Sequence, residues 1–367
     1  MRKSFVVGGL LAVGVLVLTV VPGQPVSAAA ASCEAEEVAL ESLEQLSAAK
    51  CDLSSKGLDL GDGRIAEIPA KEEAVSAHYL GDGSSPAPSD YTIAVDSTGQ
   101  VGVILDDHDG ETLRYGSVEA LRSATLDVND HVPPLEGMDR LLPNGARAND
   151  EQCSTGQTPG QPWSWAGVYK WKWSTWPAPT DPTMPTWGVP VHTAAQWIED
   201  GKNVCGIDTA EASAGGFNVW PIRQEYLGIT STDRPGVTVS SNDDVTCGPR
   251  DNKNTIGFSD FVQDPYQPGI LAVACTWYWL GGAEESDIAF DLYSNWNPNL
   301  GSCTTPYPAN GASVYDMHTV ALHELGHVFG LGHAAAGSGQ IMRPSFSPCE
   351  RQHGLGIGDW WELWMYH

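Results

Sequence analysis

Within Val320-Ala321-Leu322-His323-Glu324-Leu325-Gly326-His327-Val328-Phe329-Gly330-Leu331-Gly332-His333, three histidines, a glutamate and a glycine stand at the spacing H-E-x-x-H-x-x-G-x-x-H. On an α-helix His323 and His327 project from one face, one turn apart, so two imidazoles can reach one metal ion. Glu324 follows the first ligand and lies where it can act as a general base on a water. Gly330 can take positive φ, end the helix and return His333 as a third ligand. Three protein ligands leave a position open, the arrangement of a catalytic zinc site. Five specified positions make a far more specific pattern than a bare H-E-x-x-H.

The extended motif resembles that of the metzincin zinc endopeptidases. Gln340-Ile341-Met342-Arg343-Pro344 resembles their Met-turn, with Met342 under the metal, and the absence of a tyrosine two residues on points to the matrixin-like branch. Ala334 departs from the Ser or Thr usual after the third histidine. Asp359-Trp360-Trp361-Glu362-Leu363-Trp364-Met365-Tyr366 resembles the C-terminal matrixin helix, whose matching aspartate ties it to the Met-turn. Glu285 to Asp291 resembles the edge strand that binds extended substrate, which would make Asp287, Ile288, Ala289 and Phe290 substrate-binding residues. The resemblance implies an α+β fold over 163–367: a twisted, mostly parallel sheet with an antiparallel edge strand, a long zinc helix, a Met-turn and a C-terminal helix. It also implies one catalytic Zn²⁺, Ca²⁺ in addition, and protein or peptide substrates.

Residues 1–30 read as a signal peptide: Arg2 and Lys3 precede an apolar run from Phe5 to Val21, too short to span a bilayer, followed by small residues. Eight cysteines without a C-x-x-C pair suit disulfides in an exported chain, with Cys33–Cys51 the most local pairing. A formal net charge of −27 argues against binding to nucleic acid or an anionic membrane. A secreted monomer is expected.

All fourteen tryptophans lie from Trp163 to Trp364, whereas residues 33–150 hold 24 acidic and 8 basic residues. This contrast predicts an acidic, smaller α+β region over 31–147, a linker over 148–162 and a catalytic domain over 163–367. In the first region a helix is expected over 34–50, and strands over Tyr91–Val95 and Val101–Leu105 joined by a turn. Preceding the catalytic part, it reads as a propeptide that covers the cleft. It lacks the P-R-C-G sequence of matrixin propeptides, so an aspartate or steric cover would have to serve. Asp106 to Gly110 and Asp243-Asp244 are calcium candidates, with solvated acidic turns the simpler reading.

In the catalytic part, strands are expected over 168–173, 217–220, 236–240 and 270–279, a helix over 191–200, and Asp316 as N-cap of the zinc helix. His318 and His353 read as packing or surface residues. The chemistry expected is hydrolysis of a peptide bond, Glu324 taking a proton from water and delivering one to the leaving amine. Two other readings share these residues: a non-catalytic peptide-binding module with a structural metal, and a zinc hydrolase of non-peptide amides such as cell-wall cross-links.

Overall fold

Ile270 to Trp279 carries ten residues without a charge, a composition that only a strand covered on both faces can hide. In the computed structural model it is one, and the sheet is built around it. The structure describes residues 33–366 except 85–87, 108–111, 118, 122–150, 155–157, 162, 166, 177–186, 210–219, 241–243, 262–268, 280–281 and 299–312. The leader segment and much of the linker, Asn242-Asp243, and the strand expected at 217–220 (except Trp220) thus lie outside the described residues.

The chain begins with β1 (Glu37–Ala39), a short 3-10 turn, α1 (Leu43–Ala48), β2 (Gly57–Asp59) and β3 (Ile65–Glu67). The helix expected over 34–50 is therefore cut short. Val38 is drawn instead into a strand paired with Leu58, while Leu43 and Leu46 bury the apolar side of α1. Four longer strands follow: β4 (Ala74–Gly81), β5 (Asp90–Val95), β6 (Val101–Asp106) and β7 (Thr112–Gly116). The β5–β6 hairpin and its turn match expectation. Asp96 Oδ1 accepts from Thr98 N at 2.8 Å and Gln100 N at 3.1 Å, which closes the turn.

The second half adds α2 (Glu151–Ser154), β8 (Ser164–Trp165), β9 (Tyr169–Ser174), α3 (Gly188–Glu199) and β10 (Gln224–Thr230). After these come β11 (Val237–Val239), β12 (Val245–Cys247), β13 (Thr255–Ser259), β14 (Ile270–Trp279), β15 (Gly282–Asp291), β16 (Trp296–Asn297) and β17 (Tyr315–Asp316). Two helices close the chain, α4 (Met317–Val328) and α5 (Ile357–Tyr366).

The fold is mixed α+β. Its main sheet runs β10-β9-β13-β15-β14-β4-β5-β6-β7, with β8 beside β15. From β10 to β15 neighbours are parallel; from β15 through β7 they are antiparallel. The acidic N-terminal region thus supplies four strands of the same sheet, and residues 32–367 form one compact unit.

One expectation is corrected here. β15, which carries Asp287 to Phe290, is not an edge strand: it lies between β13 and β14. The antiparallel strand at the end of the parallel set is β14, whose second side is covered by β4. Run length and apolarity could not tell the two strands apart, because both are buried.

Tyr169, Trp171, Trp173, Ile256, Ile288 and Phe290 from the sheet pack with Val191, Ala194 and Ile198 of α3 and Leu322 and Leu325 of α4 in one hydrophobic core. β4 and β5 are tied to the β11–β12 hairpin, where Tyr79 Oη donates to Val245 O at 2.7 Å and Cys247 N donates to Tyr91 Oη at 2.7 Å. Disulfides join Cys33 to Cys51, as expected, Cys153 to Cys205 and Cys247 to Cys275. Among the described residues no helix is long and apolar enough to cross a membrane.

Asp287 is fully buried, and its carboxylate accepts from Gly236 N and Thr255 N, each at 2.5 Å. Asp287→Ala is expected to destabilise the protein by about 1–3 kcal/mol for the buried Thr255 N–H left unpaired, checked by denaturant unfolding.

Candidate metal centre

α4 begins where Asp316 Oδ1 accepts from Thr319 N at 2.8 Å, an N-cap as expected. All twelve of its residues are buried, so the helix is a core element and its histidines are held without rotational freedom. It ends at Gly330, with φ +87°, where a Cβ would stand 2.5 Å from the Trp163 carbonyl oxygen; only glycine fits both demands. Gln161 N donates to Gly330 O at 2.6 Å and Gly332 N to Pro159 O at 2.7 Å, which fixes the turn that brings His333 back.

The three histidines converge. His327 Nε2 lies 3.0 Å and His333 Nε2 3.2 Å from His323 Nε2. Nitrogens each about 2.0–2.1 Å from one tetrahedral ion stand roughly 3.3 Å apart, so the donor set fits zinc with little adjustment. The outer nitrogens support this reading. His323 Nδ1 donates to Ile341 O at 2.7 Å, His327 Nδ1 to Leu331 O at 2.8 Å, and His333 Nδ1 to Asp90 Oδ2 at 2.8 Å. Each acceptor requires the proton on Nδ1 and leaves the Nε2 lone pair facing the common point. Burial holds the His323 and His327 imidazoles well below the ordinary histidine range, in the neutral form that ligates metal.

Glu324 is fully buried beside this cluster, and among the described residues neither carboxylate oxygen has a hydrogen-bond partner. Burial, with the Asp90 charge added, pushes its carboxyl well above the usual range. A buried carboxylate with no partner among the described residues is costly as structure alone.

Met342 and Asp359 lie close to the cluster, and Asp287 to Phe290 do not. Met342 is buried under α4, where a Cβ on Gly326 would overlap its sulfur. Asp359 Oδ2 accepts from Ile341 N and from Gly356 N, each at 2.8 Å, and Oδ1 accepts from Thr158 Oγ1 at 2.6 Å. It therefore both starts α5 and holds the N–H of Ile341, the residue whose carbonyl orients His323. Asp287, Ile288, Ala289 and Phe290 are not at the centre; they are buried in β15 as sheet and core. His318 is packed in the protein, 4.5 Å from the Trp197 ring, and burial lowers it to about 3; His353 Nε2 lies 2.9 Å from Asp316 Oδ1. The calcium candidates lie partly outside the described residues, and neither Asp106, Asp107 nor Asp244 joins a group of three possible ligands.

Two residues at the centre escaped the sequence reading, and both come from the N-terminal strands. Asp90, on β5, bridges His333 and His78, accepting from His78 Nδ1 at 2.9 Å. Burial works to raise the Asp90 carboxyl, but His333 and His78 outweigh it and hold it well below the usual range. The His78 ring, on β4, stacks on His327 at 4.4 Å and 11°, and its buried Nε2 has no hydrogen-bond partner among the described residues. The signal was a histidine inside Ala74-Val75-Ser76-Ala77-His78-Tyr79-Leu80, a run of strand formers bounded by Glu72-Glu73 and Gly81-Asp82-Gly83.

A family model described as Matrixin matches residues 258–359, from β13 into the first turn of α5. No curated protein matches the chain. The matched span, which holds His323, Glu324, His327, His333 and Met342, is thus similar to the matrixins. The match does not extend to the strands from β1 to β12.

Asp359→Ala should release the Ile341 peptide and weaken zinc affinity about 10–100-fold, the usual cost of losing outer support to a ligand. Competition with a chromophoric chelator measures it.

Proposed function

We propose that this chain is a secreted, zinc-dependent endopeptidase in which His323, His327 and His333 hold the metal and Glu324 is the general base. The observation that carries the reading is the convergence of three Nε2 atoms, each with its Nδ1 committed to an oxygen, beside a buried carboxylate without a partner among the described residues. When bound there, zinc supplies Lewis acidity and brings the pKa of a water toward about 7. Glu324 accepts the proton that water gives up as it attacks a peptide carbonyl, and returns a proton to the departing amine. Met342 and Asp359 set the floor of the site and the direction of His323. Protein or peptide substrates follow from the matrixin-like domain, and disulfides are in keeping with export.

Residues 31–147 read as a propeptide. Support comes from the burial of Glu324, His323 and His327 in the intact chain, since a peptide carbonyl must reach the carboxylate that now lies inside.

Glu324→Ala should retain zinc yet lower hydrolysis of casein by about a hundred- to ten-thousand-fold, the weight of a general base. Elemental analysis and a rate assay check the pair of statements. Near-normal activity would remove Glu324 from its role, and activity on peptidoglycan but not casein would redirect the assignment to non-peptide amides. Chelator should abolish activity in the matured protein, with zinc restoring it.

A further inference from the structure

Taken alone, residues 163–367 would leave one side of β14 open. β4 covers it, running antiparallel with Ala274 opposite His78, Cys275 opposite Ala77 and Thr276 opposite Ser76. Backbone groups on an uncovered strand are the usual docking site for an extended peptide, and a chain already paired there excludes it. β14 also packs against α4, so whatever lies beside it passes the histidines. β4 does so with His78. Its ring lies flat on His327 and edge-on to His333 at 6.0 Å, while Asp90 hydrogen-bonds His78 and His333 at once. Asp90 Oδ1 also takes Tyr79 N at 3.0 Å, which locks the clamp to the β4 backbone. None of the three described disulfides joins residues 33–121 to residues 153–366, so these contacts are non-covalent and can exchange.

The geometry points to a built-in competitor: β4 occupies the peptide-binding side of β14, and the His78–Asp90 pair latches it onto the ligands His327 and His333. The inference rests on the peptidase reading and specifies how the N-terminal region keeps the intact chain closed. The latch uses an imidazole laid against a ligand ring and a carboxylate shared with another. Departure of β4 together with its partner β5 frees the β14 ladder, lifts His78 off His327 and costs His333 its Asp90 partner.

The test uses the full zinc-loaded chain and a peptidyl hydroxamate, an extended peptide ending in a zinc-binding group, with hydrogen exchange followed over residues 74–95. Binding should deprotect the β4 and β5 amides, because probe and β4 cannot occupy β14 together. The double variant Ala77→Pro with His78→Ala, which breaks the ladder and the latch but leaves the three ligands, should bind the probe about tenfold or more tightly at equal zinc content, as removal of a dominant closed state requires. Tight binding to the wild-type chain with β4 and β5 still protected would overturn the proposal, and so would absence of a gain in the variant. The wild-type exchange result stands even if the variant folds poorly. A chain that takes the probe as described but never cleaves peptide would sink the peptidase reading and leave the competitor intact. Full proteolysis with β4 in place would do the reverse.

Discussion

Imidazoles buried at zero exposure have to find an oxygen for each Nδ1–H, and the site is arranged around that demand. His323 and His327 find theirs in the backbone, at Ile341 and Leu331, so the loop after α4 is held to the helix by the ligands themselves. His333 finds Asp90 instead, across 243 residues of sequence. One hydrogen bond therefore joins the acidic N-terminal strands to the metal-binding turn. The side of the Ile341 peptide away from His323 is held by Asp359, at the start of α5, so the C-terminal helix too is fixed by what the ligands need.

The sheet answers to the same geometry. α4 can carry His323 and His327 at its centre only because β14 and β15 give it an apolar floor, with Leu322 and Leu325 set among Ile288, Ala274 and Phe290. That floor leaves β14 with a bare second side in residues 163–367, and β4 meets it residue for residue from Ala74 to Leu80. A strand edge that one half of a chain leaves open can be paired by a strand from the other half. In the intact chain a β-strand, a stacked ring and a shared carboxylate all meet at His327 and His333.

Legibility in the sequence followed the range of the interactions. The histidine motif, the Gly330 turn and the Asp316 cap are set by contacts within one helix or its loop, and spacing revealed their geometry, whereas Met342 and Asp359 were legible only through the resemblance to matrixins. The β5–β6 hairpin was equally local, since Asp96 closes its own turn. What failed was non-local. β15 and β14 are both buried and apolar, and only pairing decides which is interior. The helix expected from residue 34 gave way to a strand because Leu58 offered Val38 a partner. β10 was missed because Gln224-Glu225-Tyr226-Leu227-Gly228-Ile229 is half exposed and reads as polar. His78 and Asp90 carry no motif; their meaning lies in a register that sets residue 78 opposite residue 274.

The central claim is that His323, His327 and His333 share one metal ion. Anomalous diffraction at the zinc edge from crystals of the zinc-loaded chain tests it most directly. The account predicts a single strong peak at the meeting point of the three Nε2 atoms, about 2.0–2.1 Å from each. A peak that leaves out residue 333, or zinc bound only elsewhere on the protein, would contradict it.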